Sequence, residues 1–305
     1  MLLGAHIGIA DGLAQAARTG RAIGCEAIQI FSKSPQMWAG PPIPPTAAEE
    51  FRAAVRAEGL RATAIHHGYL INLASPKRPM LARSRRAFLD EIHRADLLGV
   101  DGLIFHPGAH LGSGSEAGLK TIAESLRLAL EEAPGSKVSL LLENAAGQGT
   151  SLCATFEELA TVIAEVDGGS RIGVTLDTCH LFASGVDFRT DESYGALVDR
   201  IGRILGRGTV RAFHLNDAKA DLGSHLDRHE NIGKGQIGLE GFRRLVNDAR
   251  WSETPGYLET PIDERGYDRY AEDLRSLREL VTPPPHPRPY RSPARRSPRR
   301  ASTVK

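Results

Sequence analysis

Nine side chains in this sequence could bind metal ions: five histidines and four carboxylates. They occur in seven short clusters and comprise His66, His106, Glu143, Asp177, His180, His214, Asp227, His229 and Glu259. Imidazole and carboxylate donors without thiolate suit Zn²⁺ or Mn²⁺ in a catalytic site. Nine ligands exceed what one ion accepts. They suit two or three ions bridged by a carboxylate, an arrangement that clamps a phosphoryl group.

The spacing within two of the clusters supports this interpretation. In the D-x-H cluster, Asp227 and His229 point the same way if the segment is extended. In LDTCH, a turn after a strand can bring Asp177 and His180 together without both binding the same ion. We interpret Cys179, between them, as a small buried residue. The remaining histidines near the clusters are expected to contact ligands or substrate (His6, His67, His110), while His93 and His225 are expected on the surface or in packing.

Eight short apolar runs precede these side chains. They span residues 2–6, 27–31, 62–66, 102–106, 138–143, 172–177, 210–214 and 257–259. Seven of the runs end in a metal-capable side chain: His6, His66, His106, Glu143, Asp177, His214 and Glu259. Continuous apolar runs of this length are typical of buried parallel strands.

Segments of helical periodicity alternate with the runs, for example residues 80–98, 119–130, 156–166 and 267–280. Eight strand–helix repeats predict an α/β fold, a single (β/α)₈ TIM barrel over residues 1–282. The carboxyl ends of the strands surround the active site in such barrels. The candidate ligands should therefore converge on one face.

Composition excludes several classes of protein. Of the 305 residues, 41% are hydrophobic and 25% charged, which rules out a wholly disordered chain. No apolar run approaches the roughly 18 residues of a membrane helix, and the start MLLGAHIGIADGL lacks the basic region of a secretory signal. The three cysteines form no C-x-x-C motif. We expect a soluble, cytoplasmic monomer without a membrane partner.

The last 23 residues differ from the rest. Residues 283–305 are rich in Pro, Arg and Ser, and hold seven basic residues and no acid. The remainder carries 31 basic and 37 acidic residues, a net charge of −6. We predict a disordered basic tail, which is either a simple solvated extension or a non-specific tether to DNA.

At the candidate ligands the sequence resembles the endonuclease IV family of apurinic/apyrimidinic endonucleases. The resemblance covers about residues 1–282 and rests on GAHIGIADGL, YLINL, HPGAH, ENAAGQG, DTCH with FASGVD, HLNDAK, DRHENIGKGQIG and the final LET. It implies a barrel with three zinc ions, or manganese at one site. It also implies hydrolysis of double-stranded DNA 5′ to abasic sites, which leaves a 3′-hydroxyl and a 5′-deoxyribose phosphate.

The resemblance implies a role for each ligand. One zinc would be held by His66, His106 and Glu143. Glu143 would bridge to a second zinc, held also by Asp177, His214 and Glu259, and the third would be held by His180, Asp227 and His229. His106, Glu143, Asp177 and Glu259 are expected to act directly in catalysis, in which an acidified water attacks phosphorus.

The resemblance also implies how damage is recognised. Tyr69 and Leu70 match loop residues that enter the duplex at the lesion, as apolar wedges that unstack bases do. Gln36 is expected to contact DNA, although the family often has Arg there. Ser34 and His67 also depart from the family pattern, where Asn and a smaller or acidic residue are usual. These departures lie outside the ligand set.

Two other functions fit parts of the pattern. A metal-dependent sugar isomerase or epimerase on the same barrel needs four ligands such as Glu143, Asp177, His214 and Glu259. The other five candidates are superfluous for that reaction. A non-enzymatic abasic-site binding protein predicts a missing ligand, and none of the nine is missing.

Overall fold

Eight parallel strands close into a barrel in the computed structural model, which describes residues 1–166, 168–206 and 208–282. The barrel strands are β1 (Leu2–His6), β2 (Ala27–Phe31), β3 (Ala62–His66), β4 (Gly102–Phe105), β5 (Ser139–Glu143), β6 (Ile172–Asp177), β7 (Val210–His214) and β10 (Pro255–Leu258). Each strand pairs with its neighbours in sequence, and β10 closes the ring against β1. A two-stranded antiparallel hairpin, β8 (Asp217–Ala218) and β9 (His229–Glu230), lies outside the barrel sheet.

Helices surround the strands: α1 (Leu13–Ala22), α2 (Pro45–Ala57), α3 (Arg78–Leu98), α4 (Ser115–Glu132), α5 (Phe156–Val166), α6 (Thr178–Ala183), α7 (Asp191–Arg200), α8 (Gly238–Val246) and α9 (Asp268–Leu280). Local sequence sets several helix ends. Helix α3 ends at Gly99, whose φ of 67° suits glycine. Helix α7 begins with a reciprocal cap between Thr190 and Ser193. Across the described residues, no helix is long and apolar enough to cross a membrane.

The interior of the barrel is filled by a layer of apolar side chains below its carboxyl end. This layer consists of Leu2, Ala27, Ala64, Ile104, Leu141, Ala212 and Tyr257. Gly4 allows the strands to approach closely, because a Cβ there would lie 2.0 Å from the carbonyl oxygen of Ala27. Side chains alternate along a strand. The residues two positions beyond this layer therefore point into the barrel mouth.

The predicted TIM barrel is confirmed. The strand bounds differ slightly from prediction, since β4 ends at Phe105 and β10 at Leu258. His106 and Glu259 consequently lie one residue beyond their strands rather than at the strand ends. The predicted basic tail, residues 283–305, lies outside the described residues.

Candidate metal centre

The nine predicted ligands meet at the carboxyl end of the barrel. Their donor atoms form three groups in which all members lie within 4.8 Å of one another: His66, His106 and Glu143; then Glu143, Asp177, His214 and Glu259; then His180, Asp227 and His229. Two further groups overlap these, one of His66, His214 and Glu259 and one of Asp177, Cys179 and His229. The three main groups have the same members as the sets that the resemblance implies. The role of each residue as a ligand stays a prediction.

Glu143 occupies the middle of the cluster. Its Oε2 lies 3.0 Å from His66 Nε2 and 3.5 Å from His106 Nδ1. Its Oε1 lies 2.9 Å from His214 Nδ1 and 3.4 Å from His180 Nδ1. The side chain is completely buried. Each carboxylate oxygen thus faces a different part of the cluster, as a bridging ligand requires.

Backbone carbonyls orient three of the histidine rings. His66 Nδ1 donates to the carbonyl of His67 at 2.8 Å, and His180 Nδ1 donates to the carbonyl of Asn144 at 2.8 Å. In His229, Nδ1 donates to the carbonyl of Glu259 at 3.1 Å. Because a carbonyl only accepts, Nδ1 carries a proton in all three rings. Nε2 is left facing the carboxylates, where its lone pair can bind a metal ion once the ring is neutral. This arrangement is found around metal-binding histidines.

Gln29, which the sequence reasoning missed, orients two further candidate ligands. Its Oε1 accepts from His214 Nε2 at 2.8 Å, so that His214 Nδ1 is free to face Glu143. Its Nε2 donates to Glu259 Oε1 at 2.6 Å and lies 2.9 Å from His6 Nδ1. Gln29 is completely buried in β2. The sequence signal for Gln29 is a polar amide within the apolar run AIQIF, two residues after Ala27.

Asn216 and Thr178, also missed, help to position Asp177 and the backbone of Glu259. The Asn216 amide donates to Asp177 Oδ2 at 2.7 Å and its Oδ1 accepts from the backbone N–H of Glu259 at 2.8 Å. Thr178 Oγ1 accepts from the backbone N–H of Asn216 at 2.8 Å. Asp177 Oδ1 meanwhile caps α6 by accepting from the backbone N–H of His180 at 2.9 Å. These bonds hold the carboxylate of Asp177 and the backbone of Glu259 in place.

The electrostatics of the cluster are those of tightly paired opposite charges. Burial disfavours the imidazolium form, but Glu259, Glu143 and Asp177 outweigh it and raise the pKa of His214 to about 9. Burial acts likewise on His229, where Asp177 and Asp227 raise the pKa to about 9. The pKa of Glu143 is held well below its usual range, since the surrounding histidines outweigh its burial. The site therefore favours positive charge, as metal ions would supply.

Several buried donor atoms lack a hydrogen-bond partner in the described part of the protein and could instead bind metal ions. The Nε2 atoms of His180 and His229 are buried and make no hydrogen bond. They face carboxylates: His180 Nε2 lies 3.3 Å from Asp227, and His229 Nε2 lies 3.2 Å from Asp227 and 3.6 Å from Asp177. A buried polar atom without a partner is costly. Ions among these donors would satisfy them.

The other histidines have varied roles. His6 lies 3.2 Å from Glu259 Oε1, as expected of a residue beside a ligand. His67 Nε2 accepts from the backbone N–H of His106 at 2.9 Å. His110 Nδ1 accepts from the backbone N–H groups of Gly112 and Gly114 and so shapes its own loop. His225 has a left-handed φ of 55°, and its Nδ1 contacts the carbonyl of Ala146 at 3.1 Å.

A cavity of about 370 Å³ opens above the cluster. It is lined by His6, Phe31, His66, Tyr69, His106, Asp227, His229, Glu259 and Tyr270. Tyr69 stands at its rim with 64% of its surface exposed, and its ring packs edge-on against Phe31. Gln36 is exposed on a neighbouring loop, and Leu70 is half-buried. Tyr69 therefore lines the cavity at its solvent-exposed edge.

Comparisons with known proteins agree on the fold. The family model for xylose isomerase-like TIM barrels matches residues 17–280. A relative from Chloroflexus aurantiacus named "Probable endonuclease 4" is 42% identical over 281 residues, 91% of this chain and 97% of the relative. The crystal structure of endonuclease IV from Thermus thermophilus matches with a TM-score of 0.82 and 35% identity, covering 92% of this chain and 98% of that one. A D-psicose 3-epimerase from Clostridium cellulolyticum matches with a TM-score of 0.67 and 16% identity over 92% and 99% of the two chains, a likeness of fold alone.

Proposed function

The chain belongs to the endonuclease IV family, and we propose that it is a DNA-repair enzyme that hydrolyses the phosphodiester bond 5′ to abasic sites. The products are a 3′-hydroxyl and a 5′-deoxyribose phosphate, as in base excision repair. Three zinc ions per chain are the proposed cofactors, with manganese at one site as an alternative. The proposed substrate is double-stranded DNA containing abasic sites.

The observation that supports this proposal best is the set of three adjacent donor groups, two of which share Glu143. His66, His106 and Glu143 would hold one ion, and Glu143 with Asp177, His214 and Glu259 a second. His180, Asp227 and His229 would hold the third. When bound, such ions supply Lewis-acid charge for the phosphoryl oxygens and an acidified water as nucleophile.

The protein's own contribution is to hold these donors in place. Gln29 keeps the proton of His214 on Nε2, and Asn216 fixes one oxygen of Asp177. The apolar layer below the cluster keeps water from entering through the barrel. A preorganised site of this kind needs no rearrangement as charge develops on the phosphoryl group.

Lesion recognition is assigned to the rim of the cavity. The exposed Tyr69 and the adjacent Leu70 would enter the duplex, with Gln36 beside them. An abasic nucleotide has no base stacking to lose, so it is extruded at low cost. The cavity above the metal cluster would accept its sugar and phosphate.

A sugar isomerase or epimerase remains the alternative function, because Glu143, Asp177, His214 and Glu259 alone could serve it. That reaction gives no purpose to His66, His106, His180, Asp227 and His229, which complete the other two donor groups. Metal content separates the two functions. About three ions per chain favour the endonuclease, and one or two favour the isomerase.

The domain organisation follows the same proposal. Residues 1–282 form the catalytic barrel, and the basic residues 283–305 serve as a tether to DNA. Seven positive charges would add salt-dependent affinity to a body with net charge −6. The enzyme is proposed to act as a cytoplasmic monomer.

Incision of a duplex oligonucleotide with one tetrahydrofuran abasic analogue tests the proposed function. This analogue resists β-elimination, so a lyase leaves it intact. Cleavage on the 5′ side that leaves a 3′-hydroxyl is the expected result. An intact oligonucleotide after incubation with protein holding three metal ions would contradict the proposal, and a keto-sugar epimerisation assay would follow.

A further inference from the structure

Charged side chains on α3 hold the loop that carries Gln36. Lys33, at the start of this loop (residues 32–44), contacts Glu91 and lies 3.2 Å from Asp90 Oδ2. Ser32 donates its hydroxyl to Glu91 Oε2 at 2.5 Å. The side chains of Lys33 and Glu91 are at most 2% exposed. Because separating a buried ion pair is costly, the start of the loop is fixed on the helix.

Arg94, one turn further along α3, fixes both sides of the same loop. Its guanidinium donates from Nη2 to the carbonyl of Pro41 at 2.7 Å and from Nη1 to the carbonyl of Ser32 at 3.3 Å. Its Nε donates to Asp90 Oδ2 at 2.9 Å. The planar fork of arginine allows all three bonds at once, which lysine cannot reproduce. The residues between Ser32 and Pro41, which include Gln36, are therefore held to α3 at both ends.

The loop that carries Tyr69 packs directly against this stretch. The backbone N–H of Tyr69 donates to the carbonyl of Pro35 at 2.9 Å. Gly68 makes the approach possible, since a Cβ there would lie 2.9 Å from the same carbonyl oxygen and 3.3 Å from Pro35 Cα. The contact is between two backbones. Neither loop can therefore move far without the other.

We infer that the two loops form one preorganised lesion-reading unit, in which Arg94 and Gly68 are positioning residues for recognition of damaged DNA. The inference rests on the proposed function. Arg94 fixes the loop of Gln36 to α3, and the Gly68–Pro35 contact transmits that position to Tyr69. Loops that are already ordered bind with less loss of entropy. The unit should therefore govern affinity for the lesion rather than the rate of hydrolysis.

The test compares Gly68→Ala, Arg94→Lys and the double variant, with Gly135→Ala as a matched control. A Cβ at Gly135 meets no atom within 4 Å, and the residue precedes β5 at the opposite end of the barrel. For each protein, KM and kcat are measured on the tetrahydrofuran duplex. Zinc content and the Kd for an undamaged duplex are measured in parallel.

Gly68→Ala is expected to raise KM by roughly 3- to 10-fold, the effect of about one hydrogen bond. Its kcat and zinc content should stay within about twofold of those of the unsubstituted chain, because the loops do not hold the ligands. Affinity for undamaged duplex should change less, so that discrimination falls. Arg94→Lys should act in the same direction.

The double variant tests whether the two residues act through one unit. Its KM effect should be smaller than the product of the single effects, since either change already frees the loops. An unchanged KM in folded Gly68→Ala, or fully multiplicative effects, would overturn the inference. If the unsubstituted chain with three zinc ions fails to incise the analogue, the proposed function fails and the inference fails with it.

Discussion

Glu143→Gln is the substitution that most directly probes the shared carboxylate. Glutamine has nearly the same shape but replaces one carboxylate oxygen with an NH₂ group that cannot bind a metal ion. Since Oε2 faces His66 at 3.0 Å and Oε1 faces His214 at 2.9 Å, either orientation of the amide removes a ligand from one of two donor groups. The change also removes one negative charge from a completely buried position.

The magnitude follows from these contacts. Residues that only orient metal ligands already change metal affinity by about 10- to 100-fold when replaced. Loss of a direct, bridging ligand should exceed that range. We therefore expect fewer than three zinc ions per purified chain and a fall in incision rate of at least about 10²- to 10³-fold. Both losses should appear together.

The assay pairs zinc content with single-turnover incision of the tetrahydrofuran duplex. The variant should be less stable, because the buried histidines lose a counter-charge. Thermal unfolding is therefore used to determine the folded fraction. Glu49→Gln, an exposed change on α2, is the matched control and should keep both metal and activity. Three bound ions together with an unchanged rate in Glu143→Gln would refute the bridging assignment.

Three further predictions concern Gln29, the buried histidines and the basic residues 283–305. Gln29→Leu should weaken zinc retention by roughly 10- to 100-fold, because His214 loses the acceptor of its Nε2 proton, and excess zinc should restore incision. Zinc release to a chromogenic chelator measures this loss. An unchanged release rate would argue against the role of Gln29. In the metal-free chain, His214 and His229 have pKa values of about 9, above the ordinary 6.5, so the stability that they contribute is complete below about pH 6.5 and is lost as the pH rises through about 9. Both are then charged at pH 7.5, and the pKa values of His66 and His180 are raised as well. Zinc binding should therefore release at least about two protons per chain in a weakly buffered indicator assay, whereas binding without proton release would contradict these pKa values. Deletion of residues 283–305 should leave incision of short duplexes at low salt intact but flatten the salt dependence of DNA binding, and an equal slope with and without the tail would remove the tether.

The sequence predicted the barrel well because its buried strands are continuous apolar runs with ligands at their ends. Strands β1, β2, β3, β6 and β7 have the predicted bounds. The two offsets, at His106 and Glu259, arise because the chain leaves the sheet one residue before the ligand. The ligand sets came from the resemblance, since spacing along the chain does not say which strands are opposite one another.

The residues that were missed make contacts between distant parts of the chain. Gln29 and Glu259 are 230 residues apart, and Lys33 and Glu91 are 58 residues apart. Asn216 carries no distinctive sequence signal, since an amide after a strand is equally typical of a turn. His110 has ligand-like neighbours in sequence, yet its ring accepts from its own loop. Such roles depend on geometry that only the closed barrel creates.

Two of the three donor groups share Glu143, and we propose that all three act as one catalytic centre. The most direct test of this proposal is a titration of chelator-treated, folded protein with zinc, in which incision of the tetrahydrofuran duplex is followed at each equivalent. We expect little activity until about the third equivalent, then a plateau with three ions bound per chain. Full activity with one ion bound would contradict it.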